Sequence, residues 1–144
     1  LETGGYETVR LSDELLFIEN YLDIQLERFD RSFSFRKELP PEWAHLRLPP
    51  MVLQPLVENA VKYGVGQRES GGVIVLRVEP QGKGIYVEVA DNGPGVAAHT
   101  GGSTGIGLKN TDLRLRRLYG PEAALQVSAS PQGFRVGFWL PVAS

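Results

Sequence analysis

Three short stretches of this chain carry residues that could do chemistry together. The first is Leu53-Gln54-Pro55-Leu56-Val57-Glu58-Asn59-Ala60-Val61-Lys62-Tyr63-Gly64. At the roughly 100° step of a helix, Leu53, Leu56, Val57, Ala60 and Val61 share one broad face. Val52 and Tyr63 stand at its edge, and Gln54, Glu58, Lys62 and Asn59 take the other side. An ordinary amphipathic helix does the same. Asn59 is the exception: it stands at the apolar border, and asparagine is a poor helix former that is costly to bury without partners. The second stretch, Asp91-Asn92-Gly93-Pro94-Gly95, ends an apolar strand. A lone Asp-x-Gly-x-Gly is ordinarily a tight turn. Its two glycines also let backbone approach a flat ligand closely, and Asp91 could accept a hydrogen bond from an exocyclic amine. The third, Gly101-Gly102-Ser103-Thr104-Gly105-Ile106-Gly107-Leu108, runs into a helix. It reads either as a flexible linker and helix start or as a phosphate site made from the free N–H groups of a helix N-terminus. It is not a Walker loop, because no Lys-Ser or Lys-Thr follows at the required spacing. Nor is it a Rossmann fingerprint, because Asn110 stands three residues after Gly107 and no strand directly precedes it.

The composition sets bounds on that chemistry. The 144 residues amount to one domain, with 42% hydrophobic residues for a core and 22% charged. The net charge of −2 gives no basic footprint, so nucleic acid is not expected as a partner. With no cysteine there is neither a disulfide nor a thiolate metal site. His45 and His99 lack ligand spacing. No apolar run approaches a membrane span, and no signal peptide is visible. The opening Leu1-Glu2-Thr3-Gly4-Gly5 leads to the expectation of a domain excised from a longer parent.

The elements that must position these residues follow from periodicity. Leu1 to Arg10 is weakly patterned, with partial disorder expected. Ser12 is placed to cap a helix over about Asp13 to Phe29, with Asp13 and Glu14 in its first turn and Leu15, Ile18, Leu22, Leu26 and Phe29 at helical spacing. That helix could either pack on the core or stand solvated as a tether. Phe33 to Glu38 alternates as a strand, and Glu42 to Leu48 reads as a loop. Pro49-Pro50 is expected to open the central helix, with Pro55 deeper and able to bend it. Gly64, Gly66 and Gln67 to Gly72 read as a polar loop. Val73–Val78 and Ile85–Ala90 form the clearest hairpin. Val96 to Gly107 reads as a mobile loop. A third helix runs from about Ile106 to Tyr119 and stops at Gly120-Pro121, and Leu125–Ser130 with Phe134–Leu140 forms a last hairpin. This order suits an α+β fold, a mixed sheet with helices on one face.

Each stretch alone is weak evidence, but their order and spacing together are specific. They resemble the N box, G1 box and G2 box of the Bergerat-fold (GHKL) ATP-binding superfamily, which includes gyrase-type ATPases, the Hsp90 chaperone, sensor histidine kinases and the MutL repair protein. More narrowly, Leu53 to Gly64 and Gly105-Ile106-Gly107-Leu108-Lys109-Asn110, with Arg114-Leu115 and Leu118-Tyr119-Gly120, resemble the LytS/YehU class of sensor histidine kinases. Leu11 to Glu14, Tyr21-Leu22 and Arg28-Phe29 resemble the segment that follows the phosphoacceptor region in that class. The resemblance implies a two-layer α/β sandwich of about five mostly antiparallel strands and about three helices. It implies Mg²⁺ on Asn59, the adenine amine on Asp91, a base pocket shaped by Gly93 and Gly95, and phosphates covered by Gly105, Gly107 and Leu108. Lys62 would neutralise phosphate charge, Tyr63 would lie against the nucleoside, and Val96 to Thr104 would be a short lid. Residues 1–30 would be a linker and helix from a missing dimerisation and phosphoacceptor domain, and residues 31–144 the ATP-binding catalytic domain.

The implied activity is transfer of the γ-phosphoryl group of Mg·ATP to a histidine on that missing helical domain, for onward passage to a cytoplasmic response regulator. The isolated domain would be a monomer and the parent a homodimer anchored in a bacterial inner membrane. One departure bears on this. Hydrolytic members of the superfamily place a general-base glutamate four residues before the asparagine, where this chain has Pro55, so poor intrinsic hydrolysis is expected. Glu58 lies about 100° round the helix from Asn59. It is open as a base, as a supporting group, or as the partner of Lys62 in a surface pair. Neither His45 nor His99 has the context of an acceptor. The alternatives are a stand-alone or degenerate nucleotide-binding regulator, such as an anti-sigma-type serine kinase or a pseudokinase, and a gyrase- or Hsp90-type hydrolase, which Pro55 disfavours. If the lid assignment holds, amide exchange across Ala97 to Thr104 slows on adding Mg·ATP; unchanged exchange there would refute it.

Overall fold

The computed structural model describes residues 7–29, 33–39, 41–95 and 105–141. The expected lid, Val96 to Thr104, lies outside them, as do His99 and the first six residues. Strand β1 (Val9–Arg10) leads into helix α1 (Leu11–Phe29) and strand β2 (Phe33–Glu38). A short 3-10 turn (Pro41–His45) precedes β3 (Arg47–Leu48). Helix α2 (Gln54–Asn59) widens into a π winding (Ala60–Gly64) and tightens into a 3-10 turn (Val65–Gln67). Strands β4 (Gly72–Gln81) and β5 (Gly84–Asp91), helix α3 (Gly105–Tyr119) and strands β6 (Gln126–Ser130) and β7 (Gly133–Pro141) follow.

Five strands form one sheet in the order β2-β4-β5-β7-β6. The tight turns at Gly82-Lys83 and Pro131-Gln132 make β4–β5 and β6–β7 antiparallel. Between β2 and β4 the chain crosses over through α2, and that pair is parallel, with Phe33 opposite Gly72 and Glu38 opposite Arg77. Alternation along the strands sends Ile74, Leu76, Val78, Ile85, Val87, Val89, Phe134, Val136, Phe138 and Leu140 to one side. There they form one core with Leu11, Ile18 and Leu22 of α1, Leu56 and Val57 of α2, and Leu108 and Leu115 of α3. The other side of the sheet is polar and open, with Arg77 pairing both Glu38 and Glu88 at 3.0 Å. This is the expected α+β fold of two layers.

Several local expectations are corrected. Helix α1 begins at Leu11, so Ser12 lies inside it and does not cap it. The helix packs rather than standing free, although Leu16, Phe17 and Ile24 are exposed on the side away from the core. Val9 and Arg10, expected in a weakly patterned stretch, pair antiparallel with Leu48 and Arg47. The segment expected as a loop, Glu42 to Leu48, therefore contains both a turn and a strand. Two-residue strands leave no alternation to detect. Pro49-Pro50 does not open the central helix. Met51 holds a left-handed φ of 62°, a conformation costing about 1–3 kcal/mol outside glycine. Helix α2 starts three residues later with Pro55 in its first turn, where a missing N–H costs nothing. Pro55 thus starts the helix and does not bend it. Gly64 to Gln67, expected in a loop, continue the winding.

Phe138 is fully buried and Leu16 is 62% exposed. Phe138→Ala is expected to lower unfolding free energy in urea by about 3–5 kcal/mol and Leu16→Ala by no more than about 0.5 kcal/mol. Similar losses would contradict the assignment of the core.

Candidate functional site

Asn59 is the last residue of α2 and is 6% exposed. Among the described residues its amide nitrogen has no hydrogen-bond partner. An unpaired buried amide costs about 1–3 kcal/mol, and its nitrogen is a donor able to take a further acceptor. The winding changes immediately after it. On a regular helix the residue five positions on lies about 140° round. The wider π winding of Ala60–Gly64 adds a residue to the turn and brings Gly64 back toward the side of Asn59. Such widened turns concentrate at functional sites.

Gly64 rests on the end of β5. A β-carbon there would fall on the carboxylate of Asp91, and one on Gly93 would fall on the backbone of Gly64. Only glycine at both positions allows the helical layer to close on the sheet at this point. Asp91 is 8% exposed and accepts a hydrogen bond from the Gly93 N–H at 2.8 Å. Burial pushes its carboxyl up to about 6, and the Gly93 bond opposes that. Among the described residues this carboxylate has a single backbone donor, which leaves it able to accept a further hydrogen bond.

The turn after Asp91 is pinned from two sides. Asn92 accepts from the Val73 N–H at 2.8 Å and donates to the Gly71 carbonyl at 3.0 Å. Gly95 has φ of 61° and sits where a β-carbon would meet the carbonyls of Ser130 and Gly133. The β6–β7 hairpin thereby holds this turn.

The other expected residues are distributed around this centre. Glu58 is exposed and accepts from Gln54 Nε2 at 3.1 Å. It does not form the surface pair with Lys62, whose ammonium lies 5.1 Å from the centroid of the Tyr63 ring. Gly105 and Gly107 open α3. Gly107 lies beside Pro55, whose Cβ is 4.0 Å from where a β-carbon would stand, with no closer neighbour among the described residues. Leu108 is buried in the core and has only backbone to offer a phosphate. Thr111 fastens the first turns of α3 by donating to the Gly107 carbonyl at 3.0 Å. His45 ends the turn before β3 and is exposed. Sequence reasoning missed the seat of Gly64 on Asp91 and the bracing by Asn92. The adjacency of Gly64 to an apolar helix end was a signal for the first, while nothing local signalled the second.

Among the described residues no three His, Cys, Asp or Glu side chains gather as a metal cluster. A cavity of about 460 Å³ lined by Arg36, Arg77 and Arg135 reaches Asp91, Asn92 and Gly133 at its other end, so it adjoins the turn that follows β5. No helix of the described residues is long and apolar enough to cross a membrane.

Residues 47–144 match the profile of the family described as histidine kinase-, DNA gyrase B- and HSP90-like ATPases. The chain is 31% identical over 136 residues to sensor histidine kinase BtsS of Escherichia coli K12, covering 94% of this chain and 24% of that protein. It is 30% identical to sensor protein LytS of Staphylococcus saprophyticus over a 152-residue alignment, covering 98% and 26% respectively. It therefore spans about a quarter of the length of these relatives. Its fold is that of the Acinetobacter baumannii histidine kinase AdeS, with a TM-score of 0.71 and 16% identity over 100% of this chain and 70% of that one.

The buried carboxyl gives a signed pH dependence. Unfolded, Asp91 ionises near 3.8; folded, near 6. Between these values the folded state holds the extra proton, so stability falls as pH rises from about 4 to 6 and then levels off. Asp91→Asn lacks this loss. Its unfolding free energy relative to the unaltered chain is expected to rise through that window by roughly 3 kcal/mol, measured by urea titration at several pH values without nucleotide. A difference independent of pH would exclude the desolvated carboxyl.

Proposed function

Because the chain belongs to the family of histidine kinase-, DNA gyrase B- and HSP90-like ATPases, we propose that its ATP site serves a protein histidine kinase. In this proposal it passes the γ-phosphoryl group of Mg·ATP to a histidine elsewhere in a longer protein. The observation carrying this reading is the pair of under-satisfied buried groups, the Asn59 amide and the Asp91 carboxyl, on either side of the Gly64 seat. Asp91 accepts the adenine amine, and Gly93 and Gly95 shape the pocket for the ring. Tyr63 lies against the nucleoside. The N–H groups at Gly105, Gly107 and Leu108 meet the phosphates, and Lys62 lends positive charge.

The unpaired Asn59 amide nitrogen suits a phosphate oxygen, and its amide oxygen would be the atom offered to Mg²⁺, an ion that keeps waters and phosphate oxygens and needs few protein ligands. The ion would neutralise charge on the phosphates. This chain's own residues bind and orient, which is most of what phosphoryl transfer requires. Pro55 occupies the place from which a glutamate would activate water, and Glu58 is turned to Gln54. The acceptor is thus the histidine of a partner domain. Residues 1–30 form the linker and helix leading from it, and 31–144 the catalytic unit. The downstream partner is a cytoplasmic response regulator. The parent is a homodimer at the bacterial inner membrane, with this domain on the cytoplasmic side and monomeric in isolation.

Calorimetric ATP titration with and without Mg²⁺, followed by phosphate assay of the same sample, tests the proposal. Mg²⁺-dependent binding with negligible release is expected, and Asn59→Ala is expected to remove the Mg²⁺-dependent part. Rapid multiple turnover would make water the natural acceptor and overturn the kinase reading.

A further inference from the structure

Helix α1 carries a second buried carboxylate. Glu14 is 4% exposed, and it faces the start of α2 rather than solvent. One carboxylate oxygen accepts the Met51 N–H at 3.1 Å, and the other accepts the Leu53 N–H at 3.0 Å. Leu53 is the residue before α2 and has no side chain able to cap it, and its carbonyl accepts the Val57 N–H at 3.0 Å. Glu14 therefore supplies from another helix what the local sequence cannot. It also braces Met51 in its left-handed conformation. The Tyr21 phenol of α1 is held above its usual value by burial and, after that, by the charge of the Glu58 carboxylate, with Arg28 opposing.

Asp91 and Gly93 are fastened differently, to the sheet through β5, Asn92 and the β6–β7 hairpin. The two ends of the site meet at the Gly64 seat but are fastened outward to different parts of the fold. We propose that Glu14 is a positioning residue for the nucleotide site: by tying α1 to the start of the helix that carries Asn59, it makes the phosphate end follow the position of α1 while the adenine end stays with the sheet. This rests on the reading of the site as one for Mg·ATP, and α1 becomes the element through which movement upstream reaches the phosphates.

The test compares Glu14→Gln with the unaltered chain, both ¹⁵N-labelled. Without nucleotide, the Leu53 backbone amide and the Asn59 side-chain amide resonances are expected to shift and the Gly93 amide to stay. In titrations, affinity for ATP with Mg²⁺ is expected to fall roughly tenfold, as for loss of one charge-assisted hydrogen bond. Affinity for adenosine is expected to hold within about twofold. A purely structural role would lower both affinities together. If Glu14→Gln does not fold, Glu14→Asp, which withdraws the charge by one methylene, carries the same comparison. No shift at Asn59, or equal shifts at Asn59 and Gly93, overturns the proposal. Failure of the unaltered chain to bind either ligand overturns the nucleotide reading instead, and the resonance comparison still decides whether Glu14 positions Asn59.

Discussion

The site depends on the close seating of Gly64 against the carboxylate of Asp91, with Gly93 behind it. Elsewhere the helical and sheet layers are separated by side chains such as Leu56, Leu76 and Val87. Here backbone meets side chain directly, and no other residue type would fit without displacing one layer. The contact explains three things together. It desolvates Asp91, it requires the helix to widen just after Asn59, and it brings the turn that follows β5 under the helix end. A polar seam thus lies at the edge of an otherwise apolar core.

The two buried carboxylates show how differently the same chemistry can be used. Glu14 has two backbone donors, one for each oxygen, and is a completed joint. Asp91 has, among the described residues, one donor on one oxygen and burial that disfavours its charge. Asn59 is likewise incomplete among the described residues. Full satisfaction is the rule inside proteins. Trp43 Nε1 is another such exception among the described residues, outside the site, so an orphaned atom alone does not mark a ligand. Under the proposed function, nucleotide would complete the bonding at Asn59 and Asp91 and so tie stability to occupancy.

Much of this was legible in the chain itself. The hairpins, the third helix and the apolar face of α2 follow from alternation and helical spacing, and Asn59 stood out because an amide at an apolar border conflicts with burial. The ribbon of β1 and β3 was not legible, because two residues carry no period and its partners are far apart in sequence. Nor was the true start of α2. Met51 is left-handed with its N–H held by Glu14, a tertiary contact that local preference does not foretell. Glu14 was visible in part. It stands three residues after Leu11 and four before Ile18, on the buried stripe of α1, where a charge needs a partner. Its sequence position near a helix start offered a competing local explanation, and only the fold shows that the partner belongs to another helix.

The π winding between Asn59 and Gly64 has a consequence for which changes of length the chain tolerates. Surface connections in a domain accept added or lost residues readily. This winding looks like a connection, since it joins a helix to a glycine-bearing turn, yet its residue count sets an angle. With one residue fewer it would close to an ordinary helical turn, and Asn59 would rotate away from the seat of Gly64 while every side chain remained present. Here the number of residues carries information as strict as their identity, and a one-residue deletion would do damage that no list of substitutions foretells.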